Sequence, residues 1–499
     1  MKTFSAQHNL LALITFVILF AGCKQPETIV VDQSPAVAPS SDTTETDNTK
    51  SEASFRKLVI GEFNTISTLD PLFADNASSM RAVQLVYEGL VRLNKDGEVM
   101  PAMARNWEVA EDSLEYTFHL RPNIFYHDSE VFSTGTGRKL VSQDVKSAFE
   151  RMAHAGVPPE AGHMFMDVKG FNSYFQEQRE VYNPADRQLN GVSGIQTPND
   201  TTVVFELNKP DSQFLKKLAS PLAVIYPPEA VGDNLSSFSP VGTGPFTFSS
   251  RSADSTLIFS KFQNYYDKSD INLNRVDIVI GDSESNLFRA MSANEIYLVP
   301  QLGPQLLQSL VDPNGQLNSS YQDRYNLQVT DGTTEFVLRF NPESNLTSTS
   351  AQMISQLAKS NLSYFDQFPG DIVTTNFMNN TDTTEITALS DQGGQIYSTF
   401  SQDPFVRTYL GNLSSTLSEY NTQLQMIQIR APSRNTGLLF TINYPLITDK
   451  RWSSYNDLFR FRVNQAALYR SEINGLNFNR YPWWFDVRGV TLPAAERLN

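Results

Sequence analysis

Strand-like and helix-like runs alternate along the chain from about residue 55 onward, which predicts a mixed fold, α/β or α+β. Three stretches carry this. Leu114 to Leu120 puts Leu114, Tyr116, Phe118 and Leu120 on one face and Glu115, Thr117 and His119 on the other, the period of two of a half-buried strand. Ser78 to Arg92 spaces Met80, Val83, Leu85, Val86, Leu90 and Val91 as a buried helix does, with Ser78 or Ser79 as N-cap and Gly89 interrupting near the end. Val141 to Met152 reads as another helix, with Ser142 ahead of Asp144 and Val145 and with Ala148, Phe149 and Met152 on one face.

The remaining elements fit between these. Leu58-Val59-Ile60-Gly61 is a short apolar strand leading into the turn signal Leu69-Asp70-Pro71. Thr202 to Leu207 and Leu257 to Phe262 read as two further strands. No fixed-period repeat is visible. With 40% hydrophobic residues, the stretch from Phe55 to Asn499 is globular and too long for one small core, so two or three lobes are expected.

The first 22 residues read as a secretory signal: Lys2 supplies positive charge, Leu10 to Phe20 is apolar, and Ala21-Gly22 are the small residues that precede cleavage. The apolar run is shorter than the roughly 20 residues a transmembrane helix needs. Leu19-Phe20-Ala21-Gly22-Cys23 resembles the lipobox of bacterial lipoproteins, with Phe20 where Leu is usual, and the resemblance implies acylation of Cys23 and a membrane anchor. An ordinary signal peptide followed by a chance cysteine is the alternative. Residues 23–54 are rich in Pro, Ser, Thr, Asp and Glu, cannot bury enough apolar surface to offset chain entropy, and read as a disordered tether.

Several function classes drop out. A formal net charge of −15, without Lys or Arg clusters, argues against nucleic acid as a partner. Cys23 is the only cysteine, so the globule has no disulfide and no cysteine nucleophile. The five histidines include no metal-ligand spacing, His127-Asp128 reads as a turn pair, and neither a Gly-x-Ser-x-Gly elbow nor a Walker loop is present. Asp70, Asp75 and Asp128 have no sequence partner for acid–base work. No enzyme, no cofactor and no metal site are therefore expected.

Two segments leave a choice open. Gly242-Thr243-Gly244-Pro245 suits a loop beneath a ligand or between lobes, or a tight interstrand turn. Tyr481-Pro482-Trp483-Trp484-Phe485, in the densest aromatic stretch, suits core packing or the lining of a cleft.

An ordered series of strings resembles the extracellular solute-binding proteins of family 5, the oligopeptide-, dipeptide- and nickel-binding proteins of ABC importers. It runs through Leu69-Asp70-Pro71, Tyr87-Glu88-Gly89-Leu90-Val91, Pro101-Ala102-Met103-Ala104-Arg105-Asn106-Trp107 and Tyr116 to Arg121. It continues with Phe125-Tyr126-His127-Asp128, Ser142-Gln143-Asp144-Val145, Pro240 to Phe246 and Asn264-Tyr265-Tyr266-Asp267. The resemblance implies an α/β fold of the type II periplasmic binding protein kind, with two lobes and an extra subdomain on the first. Lobe I would run over 55–296 with the subdomain at about 92–195, a shortened lobe II over 297–440, and a return to lobe I over 441–499.

The same resemblance implies a lipid-anchored substrate-binding protein that captures a peptide or similar small solute in the interlobe cleft and passes it to ABC permease subunits. Its place would be the bacterial cell envelope, outside the cytoplasmic membrane. Carried over by position, Asp75, Asn76 and Ala77, with Thr243 and Gly244, would reach the ligand backbone, although a solvated loop carboxylate is an equal reading of Asp75. Peptide binders usually carry an Ala-Asp-Tyr-Pro-Asp-Pro-like string whose Asp captures the α-amino group. No such string is evident in lobe II, and Phe365-Asp366-Gln367-Phe368-Pro369 lies in the wrong place. That gap supports an alternative, a non-transport surface lipoprotein that keeps the fold as a receptor or structural partner.

Overall fold

The computed structural model describes residues 56–493 apart from 233–236, 345–347, 363–374, 377–394, 400–402, 421–422, 428–436 and 448–452. Cys23, the signal and tether segments, and Phe365 to Pro369 lie outside the described residues.

The chain enters through β1 (Lys57–Glu62), whose residues after Lys57 are all buried, as befits a strand with a parallel neighbour and both faces covered. A single 3-10 turn, Pro71–Phe73, is capped by Asp70, and α1 (Ala77–Val86) follows. Asn76 is its N-cap, two residues before Ser78 and three before Ser79, because its side chain accepts from the Ser79 N–H at 2.9 Å. The helix also stops earlier than its apolar pattern suggests: Tyr87 is the C-cap, and Val91, just after Leu90, opens a hairpin of β2 (Val91–Leu93) and β3 (Val99–Pro101). Past that end, position 89 has no room for a side chain, since a Cβ there would sit 2.7 Å from the Leu218 carbonyl oxygen.

A four-stranded antiparallel sheet comes next, in the order β4-β5-β7-β6, from β4 (Ala104–Val109), β5 (Glu115–Leu120), β6 (Ile195–Asn199) and β7 (Thr202–Glu206). On β5, Tyr116, Phe118 and Leu120 are buried, the alternation read from sequence. Between β5 and β6 run α2 (Ser142–Arg151), α3 (Glu160–Met164) and α4 (Phe171–Glu180). The first turn of α2 is held by Asp144, whose carboxylate accepts from the Val141 N–H at 3.0 Å, while the Ser142 hydroxyl donates to the Asn199 carbonyl instead of capping. Phe205 meets Phe118 and Phe149 edge-on, with centroids 5.9 and 5.1 Å apart, so this sheet and its helices pack into the same core as α1.

After the short α5 (Phe214–Lys217), the strands β8 (Phe246–Arg251), β9 (Leu257–Lys261) and β10 (Arg275–Ile280) bring the chain back beside β1. Then come α6 (Glu284–Ser292), β11 (Leu298–Val299), α7 (Pro304–Leu310), α8 (Ser319–Gln322) and β12 (Tyr325–Thr330). A second core gathers around β13 (Glu335–Phe340), α9 (Ser348–Ser360), β14 (Thr375–Asn376), β15 (Gln395–Thr399), α10 (Pro404–Ser418), β16 (Gln423–Ile427), β17 (Leu438–Asn443) and β18 (Asn456–Arg462). Its main sheet is β14-β18-β13-β17, and β15 pairs with β16 in parallel. Phe336, Phe405, Tyr409, Phe440 and Phe461 stack at its centre.

The final strand, β19 (Gln465–Arg470), completes a seven-stranded sheet of order β12-β19-β11-β1-β10-β9-β8. Because β17 and β18 both lie in the second sheet, the chain rejoins the first sheet at Gln465, later than position 441. Two short segments therefore cross between the sheets, 331–334 and 463–464, and they touch. A Cβ on Gly332 would stand 1.5 Å from the Val463 carbonyl oxygen, and the Gly332 N–H donates to Asn464 Oδ1 at 3.2 Å.

Candidate functional site

Polar groups from both cores meet beside these crossings. From the first core, Glu62 at the end of β1 is buried, accepts two bonds at 2.6 Å from Arg81 Nε and Nη2, and accepts a third at 2.6 Å from the Ser78 hydroxyl. Arg81 also donates to the Pro482 carbonyl, which ties α1 to the end of the chain. Asp75 is exposed and accepts from Asn76 Nδ2 at 2.9 Å, and Ala77 starts the helix.

From the second core, Asp403 caps α10, a position set by the Asp-Pro pair at the helix start. It accepts from the Val406 N–H at 3.1 Å and from Gln301 Nε2 at 2.8 Å. Burial pushes its carboxyl up from the ordinary value, against those bonds and the Arg81 charge. Tyr444 follows β17, and burial raises its hydroxyl, with the Asp403 and Asp75 charges adding to the shift and the Ala77 main chain and the Arg81 charge opposing it. Gln301, Thr334, Asp403, Tyr444 and Asn464 line a cavity of about 20 Å³. Thr334 is 6% exposed, and its hydroxyl has no partner among the described residues.

A wider opening of about 350 Å³ lies on the other side of the first turn of α10, between Phe63, Ser283, Glu284, Gln305, Arg407 and Asn412. The Glu284 carboxylate accepts from the Leu306 N–H at 2.9 Å. Burial raises its pKa, with Asp403 adding to the shift and Arg407 opposing it. The arrangement can hold a polar solute through carboxylates, a guanidinium, hydroxyls and main-chain groups. Among the described residues, no group of three or more His, Cys, Asp or Glu is placed to hold a metal ion.

Asp75, Asn76 and Ala77 thus stand at the N-terminal end of α1. Thr243 and Gly244 stand at the opposite end of that helix, about 15 Å away at 1.5 Å per residue. There the Gly244 N–H donates to the Val86 carbonyl at 2.9 Å, and the Gly242 carbonyl accepts from the His127 N–H at 2.9 Å. Thr243 is 1% exposed. The loop clamps the end of α1 inside the first core, and the structure does not bring it together with Asp75, Asn76 and Ala77. The aromatic tail likewise packs: Trp483 is fully buried in the first core and Trp484 Nε1 donates to the Leu93 carbonyl at 3.0 Å.

Asp403, Gln301, Thr334 and Tyr444 escaped sequence reasoning. The usable signals were the Asp403-Pro404 helix start and the string Asn443-Tyr444-Pro445, which keeps the Tyr-Pro of the Asp-Tyr-Pro motif and puts Asn443 in place of its Asp.

The sequence profile of the bacterial extracellular solute-binding proteins, family 5 Middle, matches residues 98–354. The chain belongs to this family. The family is one of solute-binding proteins, not of enzymes, and the fold is that of the type II periplasmic binding proteins. The chain is similar to the dipeptide-binding protein DppE of Bacillus subtilis, 26% identical over 291 residues, 57% of this chain and 48% of that protein. It is similar also to Di/tripeptide-binding protein 4 of Pseudomonas aeruginosa, 30% identical over 181 residues, 34% of this chain and 30% of that protein. The match therefore spans about half the length of these curated relatives or less. Among solved structures, the periplasmic binding protein AgaA from A. tumefaciens, in complex with agropinic acid, superposes with a TM-score of 0.65 at 17% identity, covering 89% of this chain and 100% of that one.

Proposed function

We propose that this protein is the lipid-anchored substrate-binding component of an ABC importer, and that it captures a peptide or similar small solute between two lobes for delivery to permease subunits. The carrying observation is the cavity in which Gln301, just after a strand of the first sheet, bonds Asp403 beside Tyr444 of the second core, next to the two chain crossings. In this reading lobe I takes the first sheet and its flanking elements, from β1 to β12 and again from β19, with the sheet β4-β5-β7-β6 as its inserted subdomain, and lobe II takes the second sheet and its helices. Relatives named for dipeptides and tripeptides support peptides as the ligand class, while a neighbour holding agropinic acid supports a wider range of solutes on the same fold. Acylation at Cys23, with residues 24–54 as tether, would keep the capture device at the membrane surface.

Asn443 favours a ligand without a free α-amino group at that position, because an amide cannot neutralise an ammonium as a carboxylate does. Thermal unfolding of the full chain is the test, with free tripeptides, N-acetylated tripeptides and non-peptide solutes supplied separately. A ligand that binds only the native state, at a hundredfold excess over its Kd, stabilises by about 2.7 kcal/mol. Asn443→Asp should strengthen binding of the free tripeptides relative to the acetylated ones. Absence of a shift with every pool would refute the transport reading and leave the surface lipoprotein, a receptor or structural partner, which the small 20 Å³ cavity favours.

A further inference from the structure

The opening of about 350 Å³ beside α10 falls in the range of small-molecule seats, roughly 300–1,000 Å³, whereas the 20 Å³ cavity does not. Phe63 directly follows β1, and Asp282 to Ser285 come one residue after β10. Those two strands are parallel neighbours, so the first sheet offers the carboxyl ends of its strands, the side on which open α/β sheets take ligands. The second core offers one stretch of α10, from Arg407 to Asn412.

That stretch carries two unused donors. The exposed Arg407 side chain makes no hydrogen bond or ion pair among the described residues, and Asn412 Nδ2 is buried without a partner. A buried amide N–H with no acceptor is costly, so its presence marks a place for one. On the facing side, Glu284 accepts from the Leu306 N–H at 2.9 Å, and burial raises its pKa, so a further donor would favour its charged form.

Gly411 stands between the two donors, inside α10. Glycine weakens a helix interior, and packing does not require it here, because a Cβ at this position would meet no neighbouring atom within 4 Å among the described residues. What the missing side chain keeps clear is the opening, which Gly411 lines.

We propose that this opening seats a small carboxylic acid that also carries a hydrogen-bond donor, with its carboxylate on Arg407 and Asn412, its hydroxyl or ammonium on Glu284, and its body over Gly411. A guanidinium beside an amide N–H suits the two oxygens of a carboxylate. Asp282, exposed at the rim, repels a bare anion and so favours an acid that brings a donor. The inference rests on the capture reading above and adds the seat and the ligand chemistry.

The test uses the full chain, with lactate and alanyl-alanine as probes and their carboxamides as controls, read by titration calorimetry and thermal unfolding. At least one acid is expected to bind, and its carboxamide to bind at least about tenfold more weakly, since a charged hydrogen bond is lost. Arg407→Gln should weaken the acid by about tenfold to a hundredfold, while Arg289→Gln, an exposed change on α6 outside the opening, should leave it unchanged. Gly411→Leu fills the opening and improves the helix, so it should abolish binding with a melting temperature unchanged or raised. Equal binding of acid and carboxamide overturns the seat, as does an affinity that either Arg407→Gln or Gly411→Leu leaves unchanged, although an acid that still binds keeps the capture reading. Failure of both acids to bind also overturns the seat, and the capture reading then falls only if the wider pools of peptides and non-peptide solutes give no shift.

Discussion

His127 shows how one side chain binds a loop to a pH range. Its Nε2 donates to the Gly244 carbonyl at 2.9 Å, its ring lies edge-on to Phe262, and the residue has no exposed surface. Burial lowers its pKa from 6.5 to about 4, against the Gly244 bond and the Asp128 charge. The folded state therefore binds fewer protons than the unfolded state between those values, and stability is full above pH 6.5 and falls as pH drops toward 4. Between pH 7.5 and 5.0 the loss from this residue is about 2 kcal/mol. Urea unfolding at the two pH values should show that difference in wild type and lose most of it in His127→Gln. The sequence reading of His127 as a turn residue that satisfies local bonds does not hold: its Nδ1 has no partner among the described residues, and its Nε2 bonds a loop 117 positions away, a contact that only the folded chain creates.

At the level of elements, local pattern was readable where burial has one face and misleading where burial has all. On β5 the period of two survives because Tyr116, Phe118 and Leu120 enter the first core, Tyr116 against Phe214, while Glu115, Thr117 and His119 on the other face stay exposed or half-buried. On α1 every position but Gln84 is buried, so the apolar run gives no face and no end. The crossing at Gly332 is a similar case. Nothing in Asp331-Gly332-Thr333 marks a lobe boundary, yet a methyl group there meets the main chain of the other crossing, which has no flexible end to move aside. Gly332→Ala is expected to destabilise by about 1–3 kcal/mol or more, as overpacking against backbone does. Equilibrium unfolding in urea measures it, and a loss below about 0.5 kcal/mol, the size of an ordinary surface substitution, would show that the two crossings are free to separate.

For the molecule as a whole, strand order was beyond local reasoning. Lys57 pairs beside Arg275, and Ile60 beside Leu298, on neighbours that only long-range closure brings together. The two-lobed plan was legible through the order of short strings along the chain and not through periodicity, and none of Gln301, Thr334, Asp403 and Tyr444, which line the small cavity, was legible locally. What binds the ends of this plan is the buried pair of Glu62 and Arg81. They are 2% and 3% exposed, and Arg81 reaches on to the Pro482 carbonyl, so one guanidinium joins the first strand, the first helix and the last segment of the chain. Removing one partner strands the other charge away from water, which costs about 3–5 kcal/mol, whereas removing both leaves no uncompensated charge. Arg81→Met should therefore destabilise by about that amount. Glu62→Leu with Arg81→Met should recover much of the loss, and a double-mutant cycle by urea unfolding measures the coupling. Additive losses would mean that the pair does not act as a unit and that the C-terminal segment is held by its aromatics alone.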